Sequence, residues 1–110
     1  MLVGVPDKIL AKWLRDKDYI IAFDEGEGIG IGAGYWLATN QVATVFMSAD
    51  GFCNALNPLT SFIIPYGIKI RLLISTGRQE PPHKVMSDSL EEILKIIKYD
   101  PEKVSFAILK

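Results

Sequence analysis

The sequence has few of the residues that usually mark a chemical site. Of its 110 residues one is cysteine, Cys53, and one is histidine, His83. A single cysteine excludes an internal disulfide and fits a reducing compartment. Positive charge is not in excess either: 12 Lys and Arg stand against 13 Asp and Glu, for a net charge of −1. With a pI near 5.8, no basic stripe is available to neutralise phosphates, which goes against a nucleic-acid surface. No apolar run approaches the ~18–20 residues of a membrane span, and no basic-then-apolar leader precedes the first strand. The expectation is a cytoplasmic protein with no nucleic-acid or membrane partner. What the chain does have is apolar residues, 49% of the total, with a mean hydropathy of +0.22. A parallel sheet covered on both faces, or a large subunit interface, would absorb that excess. At this length one domain, residues 1–110, is expected.

The rest is organised around Asp24 to Thr39, which carries Gly at 26, 28, 30, 32 and 34. Apolar runs on either side, Tyr19 to Phe23 and Ala43 to Met47, read as strands, so the glycine-rich segment reads as the helix of a β-α-β unit. Each glycine costs a helix about 1 kcal/mol relative to alanine, and close packing is the expected compensation. At about 100° per residue, Gly26, Gly30 and Gly34 form one bare stripe, and Gly28 and Gly32 a second. Glu25 lies on the side of the second stripe, as a carboxylate at the lip of a crowded surface.

Leu2 to Val5 reads as a first strand with no helix before it to cover it. Asp7 to Arg15 reads as a helix whose apolar residues Ile9, Leu10, Trp13 and Leu14 share one face. After Ala43 to Met47, Ser48 to Gly51 has turn chemistry, and a helix over Gly51 to Ser61 is expected to be kinked or divided at Pro58. Pro65-Tyr66-Gly67 is a turn. Ile68 to Ser75 reads as a strand and Thr76 to Met86 as a loop, because Gly77, Pro81 and Pro82 oppose regular structure. Ser87 or Asp88 would cap a last helix with the stripe Leu90, Ile93, Leu94 and Ile97, and Val104 to Leu109 closes as a strand. Strands alternating with helices give an α/β, three-layer domain. It would have a parallel sheet of about five strands and helices on both faces. Ligands gather where such strands end, here near Asp7, Asp24-Glu25, Ser48 to Gly51 and Thr76 to His83.

Gly28-Ile29-Gly30-Ile31-Gly32-Ala33 also fits the G-x-G-x-x-A pattern of a dinucleotide site, with Asp50 placed for a ribose. Charge goes against it. Asp24, Glu25 and Glu27 crowd the helix start where a pyrophosphate would bind. The helix dipole offers ~0.3–1 kcal/mol there, less than the cost of opposing unit charges a few Å apart.

Four stretches carry a resemblance. They are Gly4-Val5-Pro6-Asp7; Asp24-Glu25-Gly26 through Gly32-Ala33-Gly34-Tyr35-Trp36-Leu37-Ala38-Thr39; Asn54-Ala55-Leu56-Asn57-Pro58-Leu59-Thr60-Ser61; and Pro65-Tyr66-Gly67-Ile68. In this order they resemble phosphonopyruvate decarboxylase and the alpha subunit of sulfopyruvate decarboxylase. The matching region of those enzymes is their thiamine diphosphate pyrimidine-binding domain. The resemblance implies an alpha-type subunit of a 2-oxoacid decarboxylase, a carbon–carbon lyase acting on a small 2-oxoacid. The family's helix before the first strand has no counterpart here.

The resemblance assigns roles to residues. Glu25 would hydrogen-bond the aminopyrimidine ring of the cofactor and activate it. Burial would raise its pKa while the helix start pulls the other way. Its first-turn neighbour Glu27 reads as solvated or interfacial. Asp7 would line the substrate side, or serve only as a helix N-cap. His83 would assist proton transfer or bind the substrate's acidic group. Ser48, Asp50, Gly51 and Asn54 would lie beside the cofactor, in a stretch, Met47 to Asn54, where polar amides of the family are lost and the Asp50 carboxylate is gained. Cys53 reads as a core residue. The family holds the diphosphate through Mg²⁺ on a Gly-Asp-Gly motif with a later Asn-Asn pair. This chain has neither, so a beta-type partner subunit would hold the metal and diphosphate, with no metal ligand here and an oligomer as the working state. Two other readings stay open: a non-catalytic assembly subunit and a dinucleotide-binding module.

Overall fold

The computed structural model describes residues 1–98 and 104–109, the last segment chiefly through its backbone. Five strands, β1 (Leu2–Gly4), β2 (Ile20–Ile21), β3 (Thr44–Ser48), β4 (Ile70–Ser75) and β5 (Val104–Leu109), form one sheet in the order β2-β1-β3-β4-β5. Every pairing is parallel, as the alternation of strands and helices required. The register sets Val3 beside Val45 and Val45 beside Leu72. The helices are α1 (Lys8–Leu14), α2 (Glu25–Thr39), α3 (Phe52–Pro58), α4 (Ile64–Tyr66) and α5 (Pro81–Ile96).

Handedness decides the layers. The β1-to-β2 connection runs one way along the sheet, and the other three run the opposite way. Right-handed crossovers therefore put α1 on one face and α2, α3 and α5 on the other. The core follows that division, because neighbours along a strand point to opposite faces. Phe46 and Leu73 pack with Leu10 and Leu14 of α1. Val45, Met47 and Leu72 pack with Ile29 of α2, Phe52 of α3 and Leu90 of α5. Phe46 and Phe52 are fully buried, and each such side chain stabilises the fold by about 1.5–3 kcal/mol.

The two glycine stripes of α2 differ. A Cβ on Gly28 would lie 3.3 Å from Val45 Cγ1, and one on Gly32 only 2.7 Å from Val45 Cγ2. These glycines let the helix axis settle onto β3. The Cβ of a residue at 26 would lie 3.0 Å from the backbone oxygen of Asn54, so Gly26 admits α3. Gly30 and Gly34 have nothing within 4 Å of such a Cβ, and close packing compensates for only part of the glycine cost.

Several boundaries differ from the sequence reading. The first strand is not uncovered: β1 lies between β2 and β3, with Val3 and Gly4 buried. The poorly covered strand is β2, two residues long rather than Tyr19 to Phe23, with Ile21 at 65% exposure and Phe23 at 90%. β4 starts at Ile70, because the Ile68 amide is held by the Ile63 carbonyl at 3.1 Å. Pro58 ends α3, as expected, and a π-helical turn over Leu59–Ile63 carries the chain into α4. The loop expected through Met86 is mostly helix. Pro81 and Pro82 occupy the first positions of α5, where a missing N–H costs nothing and a fixed φ suits the helix. Ser87 and Asp88 therefore lie inside α5 and do not cap it.

Candidate functional site

With this strand order, the direction of the connections reverses between β1 and β3, and a parallel sheet opens a crevice there at its carboxyl edge. The residues that follow β1, β2, β3 and β4 all gather on that edge.

Asp7 follows β1 and caps α1: its Oδ1 accepts from the amides of Ile9 at 3.1 Å and Leu10 at 2.8 Å. Its Oδ2 accepts from the Ser75 hydroxyl at 2.6 Å, which ties the end of β1 to the end of β4. Both carboxylate oxygens are engaged, so the capping role considered for Asp7 is the one its contacts display.

Glu25 opens α2. Asp24 caps that helix by accepting from the Glu27 amide at 2.8 Å, while Glu27 Oε1 accepts from the Phe23 amide at 3.1 Å. These two bonds keep Glu27 on the surface, while Glu25 turns inward. Glu25 is only 8% exposed, which places it under the neighbouring turn and not at the lip of a surface. Asn54 donates from Nδ2 to its Oε2 at 2.9 Å, and Oε1 lies against Gly51, where any Cβ would collide with it. Oε1 has no hydrogen-bond donor among the described residues.

Asp50 lies in the turn after β3 with its side chain 36% exposed, and its Oδ1 is 2.9 Å from Nδ1 of His83. Burial pushes the Asp50 carboxyl upward, but hydrogen bonds from His83, Ser48 and its own backbone amide outweigh it and hold the group below the ordinary aspartate value of 3.8. Ser48 Oγ also accepts from the Gly51 amide at 3.2 Å. His83 sits in the first turn of α5, not in a loop, with its amide bonded to the Glu80 carbonyl at 2.8 Å.

Sequence reasoning had placed Asp50 beside the cofactor and His83 beside the substrate. Their contact with each other escaped it, since 33 residues separate a turn residue from a helix residue. Cys53 corrects a second expectation. It is exposed and not part of the core, with Sγ 3.6 Å from Met86 Sδ. The dinucleotide pattern also finds another use, since Gly28 and Gly32 face Val45 and not a phosphate loop.

Two grooves lie apart from these residues. One of about 350 Å³ is lined by Lys8, Ile9, Lys12, Trp13 and Leu109. The other, about 230 Å³, lies between Thr76 and Glu91. Among the described residues no cluster of three or more His, Cys, Asp or Glu could hold a metal ion, and no helix is long and apolar enough to cross a membrane. No protein-family model matches the chain, and no curated protein matches it.

Proposed function

We propose that this chain is the alpha-type, pyrimidine-binding subunit of a thiamine diphosphate-dependent 2-oxoacid decarboxylase. The observation that carries the proposal is Glu25, a carboxylate nine-tenths buried, held on one oxygen by Asn54 and without a donor on the other among the described residues. Leaving such an oxygen unpaired costs about 1–3 kcal/mol or more. A donor from an aminopyrimidine ring would satisfy it.

The residues present fit one end of the cofactor. Glu25 would hold the ring, with Asn54 orienting the carboxylate and Gly51 leaving it room. Among the described residues no set of ligands suits Mg²⁺, so a beta-type partner subunit would hold the diphosphate end. When bound, the cofactor would supply a nucleophilic carbon for the 2-oxo group and an electron sink for the electron pair left by the departing CO₂. This chain supplies the proton-exchanging carboxylate at Glu25 and an imidazole at His83 for a proton on the substrate side, in a cytoplasmic oligomer.

One observation supports the reading as an assembly subunit without catalysis. Both oxygens of Asp7, the third candidate catalytic group, are used within the fold. Reconstitution separates the two. The chain would be mixed with candidate partner chains carrying the metal-binding motif, with Mg²⁺ and thiamine diphosphate, and the exchange of the thiazolium C2 proton followed by NMR. Exchange faster than with the partner alone supports the enzyme subunit. No acceleration with any partner that forms a complex supports the assembly subunit.

A further inference from the structure

We infer that Asp50 is a positioning residue for His83: its carboxylate accepts the hydrogen bond from Nδ1–H, fixes the ring, and leaves Nε2 as the nitrogen that accepts protons. In giving this pair a part in turnover, the inference rests on the decarboxylase reading. The tautomer itself does not.

The pair is built from two elements that are each fixed independently. Asp50 belongs to the tight turn after β3, where Ser48 Oγ accepts from the Gly51 amide at 3.2 Å. His83 is the third residue of α5, behind two prolines with fixed φ, and its amide is tied to Glu80. The 2.9 Å contact between Oδ1 and Nδ1 is therefore a tertiary tie and not a chance meeting of two flexible side chains. A carboxylate can only accept, so a neutral ring in this contact must carry its proton on Nδ1. Isolated histidine prefers the opposite tautomer, with the proton on Nε2. The fold thus selects the minority form, and the freed Nε2 has no partner among the described residues.

Asp50 is the carboxylate in hydrogen-bond contact with the ring, while Glu80 senses its charge without touching it. Arg78 pairs with Glu80 at 3.2 Å and Lys84 with Asp88 at 2.6 Å. A proton taken at Nε2 makes an imidazolium whose charge Asp50 offsets across the same hydrogen bond, and its return restores the neutral ring. Asp50 accordingly acts through His83 and not on a cofactor.

Because His83 is the only histidine, its ring nitrogens can be observed without interference. In the full chain labelled with ¹⁵N, a long-range ¹H–¹⁵N correlation spectrum in mildly alkaline buffer should show Nδ1 protonated and Nε2 bare. Asp50→Asn and Asp50→Ala should shift the ring toward the Nε2–H form. A wild-type ring mainly in the Nε2–H form overturns the inference, and that measurement needs no variant to fold. Turnover gives a second readout, using the reconstituted complex with thiamine diphosphate and pyruvate, phosphonopyruvate and sulfopyruvate as probes. His83→Gln should lower kcat by ~10²–10⁴-fold. Asp50→Asn should lose part of that, and the double variant no more than His83→Gln alone. Losses that multiply in the double variant would sink the positioning role. If no partner gives turnover while the tautomer is as stated, the decarboxylase reading fails and the Asp50–His83 geometry stands.

Discussion

Gly51 and Glu25 occupy one space: a methyl group on Gly51 would collide with the Oε1 side of the Glu25 carboxylate. The first turn of α3 is thus shaped around the first residue of α2. Gly51→Ala should destabilise the fold by about 1–3 kcal/mol, the usual cost of overpacking, unless Glu25 swings out to relieve it. Urea denaturation measures the first outcome, and loss of thiamine diphosphate binding in the reconstituted complex reports the second. An alanine variant equal to wild type in both would mean that Glu25 does not lie where it is described.

Glu25→Gln keeps the size and the hydrogen bond from Asn54 but cannot exchange a proton. In the reconstituted complex it should bind cofactor and lose C2 exchange by ~10²–10⁴-fold, the range for a positioned acid–base group. Glu27→Gln, on the exposed side of the helix start, should cost about 1 kcal/mol of stability at most and leave exchange intact. Equal exchange in both variants and wild type would reduce Glu25 to a helix-end charge.

The glycines of α2 should respond oppositely to alanine. Gly32→Ala drives a methyl into Val45 and should destabilise by about 1–3 kcal/mol. Gly30→Ala and Gly34→Ala meet nothing and should each stabilise the isolated chain by about 0.5–1 kcal/mol through helix propensity. Thermal melts of the three variants decide the matter, and stabilisation by Gly32→Ala would contradict the packing of α2 on β3.

Assembly has its own test. Ile21 of the edge strand β2, at 65% exposure, and Phe23 just after it, at 90%, form an apolar edge of the kind characteristic of an interface. Sedimentation at micromolar concentration should show an oligomer, and Phe23→Ser should weaken it without altering the circular dichroism spectrum. A clean wild-type monomer, with no added partner binding, would remove the expectation.

Acid should weaken the fold partly through Asp50. Its carboxyl is held below 3.8, so the folded chain binds this proton less readily than the unfolded one. The resulting stability is present above the ordinary aspartate value and is lost as pH falls through the lowered one. Glu80 and Asp88 are lowered too, by a backbone hydrogen bond first in Glu80 and by the Lys84 hydrogen bond first in Asp88. The informative quantity is therefore the difference between chains. Asp50→Asn should show a shallower decline of Tm below about pH 4 than wild type. Parallel curves would mean that Asp50 gains nothing from His83 and Ser48.

The layered fold was legible because parallel strands buried on both faces read as apolar runs, and Val45, Phe46 and Met47 could have no other setting. The beginning of α5 was not, because Pro81 and Pro82 look like breakers until their place at the start of the helix is known. Glu25 was legible as a candidate from its place before the glycines. Its burial was not, since that depends on Gly51 and Asn54 arriving from the next β-α unit. The outward glycines Gly30 and Gly34 looked like packing residues, yet nothing among the described residues covers them. Asp50 and His83 were each singled out, but periodicity carries no trace of a bond between a turn and a distant helix.

The bond from Ser75 to Asp7 spans 68 residues, and this separation bears on when the site comes into being. Contacts so distant in sequence form late and slowly, because a long loop must close before anything rewards it. A chain emerging from the ribosome could bring Glu25 to Asn54 once α3 is made. The carboxyl edge would still be unfinished until β4 docks on β3 and carries Ser75 to Asp7, with His83 following on α5. The carboxyl edge is therefore completed at the end of folding, together with the last of the chain's stability.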